Sequence, residues 1–320
     1  MRKALIVGID NYHNSELECC VNDAKSIQAL LDDHDDGNSN FDVKILIDEE
    51  ATKHSLEEEI NELFNDDDVE IGLFYFSGHG YKDDTGAYLS TYDYTKNNPG
   101  VSLDYLLKKV NSSKCKNKVV ILDCCSSGYI GKINNILDNI SMIGEGVVIF
   151  ASCKDSKKAL DNNGHGVFTG LLIEGLKGTA SDILGRVYLL HLYSYISRSL
   201  SSWKQRPMLK CNITHDVIIR KSDGKLKIAI LKSGMKLFEN PDAILELDPT
   251  YYDFTKGFDP IPIQPIKDNE KKFKLLLDLY RNQLIHTDCN SLYTAAKTCS
   301  KICLTADGKF YWNQVHKKMI

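Results

Sequence analysis

Residues 4–9, ALIVGI, form a short run of apolar side chains closed by Asp10. Such a run predicts a strand covered on both faces, because a strand with one wet face alternates instead. The period then changes. In VNDAKSIQALLDD, residues 21–33, apolar side chains fall at Val21, Ala24, Ile27, Leu30 and Leu31, the spacing of one helix face. The two textures keep alternating. FDVKILIDEE from 41 predicts a second strand, and TKHSLEEEINELF from 52 a helix with acids early in it, where the helix dipole favours them. EIGLFYF from 70 predicts a third strand, LDYLLKKV from 103 a helix, KVVILDCC from 118 a fourth strand and EGVVIFAS from 145 a fifth. VFTGLLIEGLKG and VYLLHLYSYISRSL predict two more helices, and KCNITHDVIIR from 210 a sixth strand. Alternation of this kind predicts an α/β fold with a mainly parallel sheet flanked by helices.

In such sheets ligands bind beyond the carboxyl ends of the strands. The third strand is expected to end in SGHG, residues 77–80, on a flexible and exposed turn, and the fourth ends in DCCSSG, residues 123–128. If the strands are parallel, His79 and a cysteine stand at one edge. A thiol beside an imidazole can become a thiolate–imidazolium pair, a nucleophile with its general acid. Gly80 lets a backbone N–H approach a substrate carbonyl, and the N–H after the fourth strand can do the same, which would make an oxyanion hole. A lone loop histidine is more often a solvated polar group, and a lone strand-end cysteine a small core residue. Their meeting at adjacent strand ends, each followed by glycine, weakens those bland readings and keeps the dyad open.

Composition narrows the setting. The chain has 320 residues, 42% hydrophobic and 26% charged, with a net charge of −5. Nothing global calls for nucleic acid or an anionic membrane. No apolar run approaches the ~20 residues that span a bilayer, and the start reads as a strand rather than a signal peptide. Ten cysteines without a secretion signal fit a reducing, cytoplasmic setting. They include the adjacent pairs Cys19-Cys20 and Cys124-Cys125 but no CxxC pair, which argues against zinc.

Several separated stretches now resemble the caspase and metacaspase family of cysteine peptidases. Metacaspases carry SGHG, matched by residues 77–80, and a nucleophile motif D-x-C-H-S-G, matched by DCCSSG except that Ser126 replaces the histidine. The step from His79 to Cys125, 125 − 79 = 46 residues, fits the caspase pair. CVNDAKSIQALL from 20, residues 151–178 and QRP at 205–207 are similar to further family segments. The resemblance covers about residues 1–220. It implies a peptidase acting through His79 and Cys125, with Cys124 at the motif's variable position as a buried strand residue. It also implies that Asp23, Ser77 and Asp123 line the S1 pocket. Two carboxylates in a partly desolvated pocket require a cation, so the expected P1 residue is Arg or Lys. The expected partner is therefore a protein substrate with a basic P1 residue. A catalytically silent caspase-like scaffold is the alternative, and a separase- or gingipain-like arginine peptidase shares the dyad but not the other motifs. A prokaryotic stress or antiviral defence setting follows from the resemblance alone.

No cofactor or metal is expected, although calcium activates some metacaspases. The acidic runs DDHDDGNSN (32–40) and NDDD (65–68) lack EF-hand spacing. The segment after Cys125 is short and carries no long insert for processing.

KSDGK at 221–225 reads as a boundary, so a peptidase domain over 1–220 and a second domain over 226–320 are expected. Residues 226–266 hold five of the seven prolines, which suits extended chain. KKFKLLLDLYRNQLI and SLYTAAKTCSKI predict helices, and CLTADGKFYW a turn with an aromatic strand. Together they resemble a winged helix. Lys271, Lys272, Lys274, Lys297, Lys301 and Lys309 could contact DNA, but interleaved acids such as Asp278 and Asp288 favour a regulatory or protein-interaction module. A regulatory protein partner is expected there, and nucleic acid and membrane are not.

Overall fold

A computed structural model describes residues 1–13, 15–125, 143–152, 164–200, 207–256 and 260–320. The chain divides into two compact units, Met1–Asp223 and Gly224–Ile320. In the first, β1 (Arg2–Gly8), α1 (Cys20–Asp32), β2 (Asp42–Ile47), α2 (Lys53–Asn65) and β3 (Ile71–Asp83) follow in the order the hydrophobic pattern predicts. Then come β4 (Gly86–Leu89), β5 (Val101–Ser102), α3 (Leu103–Ser112), β6 (Asn117–Cys125) and β7 (Val147–Ala151). After these lie α4 (Val167–Glu174), β8 (Arg186–Tyr188), α5 (Leu189–Leu200), β9 (Met208–Asn212) and β10 (Ile218–Lys221).

The main sheet has the order β2-β1-β3-β6-β7-β9. Its first five strands are parallel, and β9 closes the edge antiparallel to β7. Alternate residues of each strand enter different cores, as the period of two requires. Phe74, Phe76, Leu122 and Cys124 pack with α2 and α3 on one face. Leu73, Tyr75, Ile121 and Phe150 pack with α1, α4 and α5 on the other.

Two local expectations change. First, β3 does not end in an exposed turn. It passes through Gly78-His79-Gly80 to Asp83, leaving its parallel partner β6 at His79 and pairing antiparallel with β4 from Gly80. Second, Val187 and Tyr188 belong to β8 and not to the following helix, and the stretch from 210 splits into β9 and β10. The Asp216 carboxylate between them accepts the Leu190 and Val217 N–H groups, which turns the chain so that β10 pairs with β8. Arg220 of β10 is buried. Its guanidinium donates to the carbonyls of Leu30 and Leu176 and pairs with Asp35, tying the last strand to α1.

The second unit contains α6 (Ile228–Met235), β11 (Ile244–Glu246), α7 (Lys267–Arg281), β12 (Ile285–His286), α8 (Leu292–Lys297), β13 (Lys301–Leu304) and α9 (Ala306–His316). Its antiparallel sheet has the order β11-β13-β12, and β12 joins β13 through α8 rather than through a glycine hairpin. The aromatic strand expected near 308–312 is helical. Thr305 caps α9 by accepting the Gly308 N–H, and Asp307 lies in the first turn. Gly308 is not a turn residue: a Cβ there would come within 1.9 Å of the Leu284 carbonyl oxygen, so its absence lets α9 pack.

Candidate active site

Parallel pairing of β3 with β6 sets Ser77 opposite Asp123, Gly78 opposite Cys124 and His79 opposite Cys125. Cys124 is spoken for: it is 3% exposed and belongs to the core with Phe76 and Leu122. Ser126, Ser127 and Gly128 lie outside the described residues, as do most of the segment after Cys125, residues 153–163 and the first two residues of QRP.

The loop between β1 and α1 builds around His79. The Asp10 carboxylate accepts the Cys20 and Val21 N–H groups, so it caps α1 and draws that helix end to the sheet edge. Tyr12 of the same loop stacks obliquely on the imidazole, ring centres 4.6 Å apart. Its hydroxyl accepts the His79 backbone N–H at 3.0 Å and donates to the Ser90 carbonyl at 3.1 Å. Gly78 makes room for this arrangement, since a Cβ there would meet the Tyr12 hydroxyl at 2.5 Å. The His79 Nε2 lies 2.7 Å from the Ser15 carbonyl oxygen. A carbonyl only accepts, so Nε2 carries the proton in the neutral ring and Nδ1 is the basic nitrogen. Gly80 pairs with Leu89, and its Cα faces Cys124 closely enough that a Cβ would lie 3.3 Å from the Cys124 Cβ. Cys20 also sits at this edge, but the neighbouring Cys19 thiol and burial push its own thiol well above the usual range. It is a poor nucleophile.

The three residues expected to line S1 come together. Asp23, Ser77 and Asp123 are 0%, 2% and 3% exposed. The Ser77 hydroxyl lies 3.5 Å from Asp23 Oδ2. Asp123 accepts from the Ser152 hydroxyl at 2.8 Å and from the Thr169 hydroxyl at 2.7 Å. Asp23 has weaker compensation. Its Oδ1 lies 2.8 Å from His165 Nδ1, but its Oδ2 has only the long contacts to Ser77 and to the Gly166 N–H at 3.4 Å. Burial, with Asp123 and Cys19 adding to it, pushes the Asp23 carboxyl up to about 9. A buried carboxylate charge without full hydrogen bonding costs several kcal/mol, enough to hold the proton at neutral pH.

Three acids of the two acidic runs form ion pairs: Asp35 with Arg220, Asp66 with Lys3 and Asp67 with Lys114. Among the described residues no group of three or more His, Cys, Asp or Glu side chains could hold a metal. No helix among them is long and apolar enough to cross a membrane.

The family model of the caspase domain matches residues 1–218. The chain belongs to the caspase-domain peptidase family. Among solved structures, the crystal structure of a structural-genomics protein from Geobacter sulfurreducens is similar at 18% identity, covering 69% of this chain and 97% of that one with a TM-score of 0.49. No curated protein matches the chain. Family membership makes the first unit cysteine-peptidase-like and gives the caspase domain its class of substrate, proteins.

Sequence reading did not single out Tyr12, Ser15, Ser152, His165, Gly166 or Thr169. Ser15 acts through its carbonyl, which no side-chain pattern reveals. His165 and Gly166 had a visible signal: residues 164–166 are a second Gly-His-Gly, placed where α4 begins.

Proposed function

We propose that this caspase-domain protein is an active cysteine endopeptidase of metacaspase type that cleaves protein substrates after Arg or Lys. The observation that carries the proposal is the β3–β6 register, which sets His79 beside Cys125 and Ser77 beside Asp123 on adjacent parallel strands. In this reading His79, its Nε2–H held on the Ser15 carbonyl, takes the Cys125 thiol proton at Nδ1. The thiolate attacks the scissile carbonyl, and backbone N–H donors, Gly80's among them, stabilise the oxyanion. The imidazolium returns its proton to the departing amine, and water then hydrolyses the acyl-enzyme. Asp23 and Asp123 face the P1 cation, and an acidic P1 side chain would find two acidic groups there and no cation to pair with.

Residues 226–320 serve regulation or partner recruitment in this proposal, because every chemical role falls in the first unit. We place the protein in the cytoplasm of a prokaryote, in a stress or antiviral defence pathway, on the family resemblance. A P1-varied fluorogenic peptide library, run on the full chain and on Cys125→Ala with and without calcium, tests the catalytic reading. Cleavage after Arg or Lys that disappears in Cys125→Ala is expected. Preference for P1 Asp overturns the pocket assignment, and no cleavage under any condition favours the silent scaffold.

A further inference from the structure

Gly166 caps α4 with φ −62° and ψ 140°, a conformation open to any residue. Its lack of a side chain therefore concerns space. A Cβ built on it would lie 3.2 Å from Asp123 Oδ2, 3.3 Å from Asp23 Oδ2 and 3.9 Å from Cys19 Sγ. One oxygen from each carboxylate thus borders the same methyl-sized space. The adjacent turn is anchored. The Asn22 amide lies 3.2 Å from both the Gly164 carbonyl oxygen and His165 Nδ1, and His165 Nδ1 lies 2.8 Å from Asp23 Oδ1. With Oδ1 taken, Oδ2 is the Asp23 oxygen that keeps acceptor capacity, and it borders the space over Gly166.

We propose that Gly166 and His165 determine the P1 specificity of the site: Gly166 leaves the seat for the substrate cation, and His165 is a positioning residue that turns Asp23 Oδ2 toward it. The inference rests on the basic-P1 reading above and extends it. Seating a cation requires an ionised Asp23. The groups facing that carboxyl are Asp10 from the end of β1, Cys19 and Cys20 at the start of α1, Tyr75 and Ser77 of β3, Asp123 of β6 and His165 before α4. Burial and the neighbouring acids oppose ionisation, so a bound cation expels the Asp23 proton. Cation affinity then rises with pH from neutrality toward 9.

Two readouts on the full-length chain test this. In Cys125→Ala, calorimetric binding of butylguanidinium and butylammonium, mimics of the Arg and Lys side chains, reads the seat without catalysis. Gly166→Ala is expected to weaken binding of both at least about tenfold, as a methyl placed in a fitted pocket does. His165→Ala is expected to weaken it similarly, with rescue by His165→Gln, whose amide can still donate to Asp23 Oδ1. In the active chain the same substitutions should raise KM for basic-P1 peptides with little change in kcat. Unchanged mimic affinity in Gly166→Ala and His165→Ala overturns the inference, as does failure of Cys125→Ala to bind either mimic. If Gly166→Ala does not fold, the His165→Ala and His165→Gln pair decides. Mimic binding in a chain that cleaves no peptide would sink the catalytic reading and leave the seat standing.

Discussion

The sheet edge of the first unit and the surface of the second use the same residue types to different ends. At the edge, Asp23 and Asp123 are buried, reach across elements distant in sequence and depend on hydroxyls, an imidazole and one N–H for compensation. In the second unit, Asp268 pairs with Lys272 one helical turn away, and Asp242 and Glu246 meet Lys309 and Lys301 at exposed positions. The first arrangement shifts protonation and, in the function proposed above, seats an external cation. The second neutralises lysines in water, where ion pairs are screened and interchangeable. Burial, more than charge count, separates a site from a solvated face.

The largest effect that could break this contrast lies in the dyad. Cys125→Ala and His79→Ala should each lower kcat/KM by about 10⁴ or more, while Cys124→Ala, which trims only a buried core side chain, should stay within about tenfold. Peptide hydrolysis by the three variants reads it, and an inactive Cys124→Ala beside an active Cys125→Ala would reverse the assignment of nucleophile.

Asp23→Asn should lower kcat/KM on basic-P1 peptides by about a hundredfold, the loss of one buried charge partner. It should also change the pH dependence of stability. The carboxyl titrates near 3.9 in an unfolded chain and near 9 in the fold. The unfolded state therefore ionises first, and wild-type stability falls as pH rises between those values. Asn does not ionise, so the melting temperature of Asp23→Asn should exceed that of wild type by a margin that widens from pH 5 to pH 8. A constant margin would mean that Asp23 is already charged in the fold.

Arg220→Ala should cost about 3 kcal/mol in urea unfolding, because it strips a buried guanidinium from two carbonyls and a carboxylate. Lys309→Ala, the exposed counterpart in the second unit, should leave the melting temperature within error of wild type. Comparable losses in the two variants would dissolve the comparison.

Much of this protein was written locally. Apolar runs and the 3.6 period placed the strands and helices of the first unit as far as α4, the short β4 and β5 excepted, because buried strands and one-sided helices impose those patterns whatever their neighbours. SGHG and DCCSSG at strand ends located His79 and Cys125, and the same motifs together with the first helix nominated Ser77, Asp123 and Asp23. Where packing overrode local chemistry, the local reading failed. Gly78 and Gly80 read as a turn but continue a strand beneath Tyr12 and beside Cys124, and Gly308 reads as a hairpin but lets a helix touch the Leu284 carbonyl. A glycine marks that a side chain is unwanted; only the tertiary structure tells whether the reason is backbone conformation or a neighbour in the way. The partners of the carboxylates were decided there too. Ser152, His165, Gly166 and Thr169 stand 29 to 143 residues from the groups they touch, and no periodicity reaches that far.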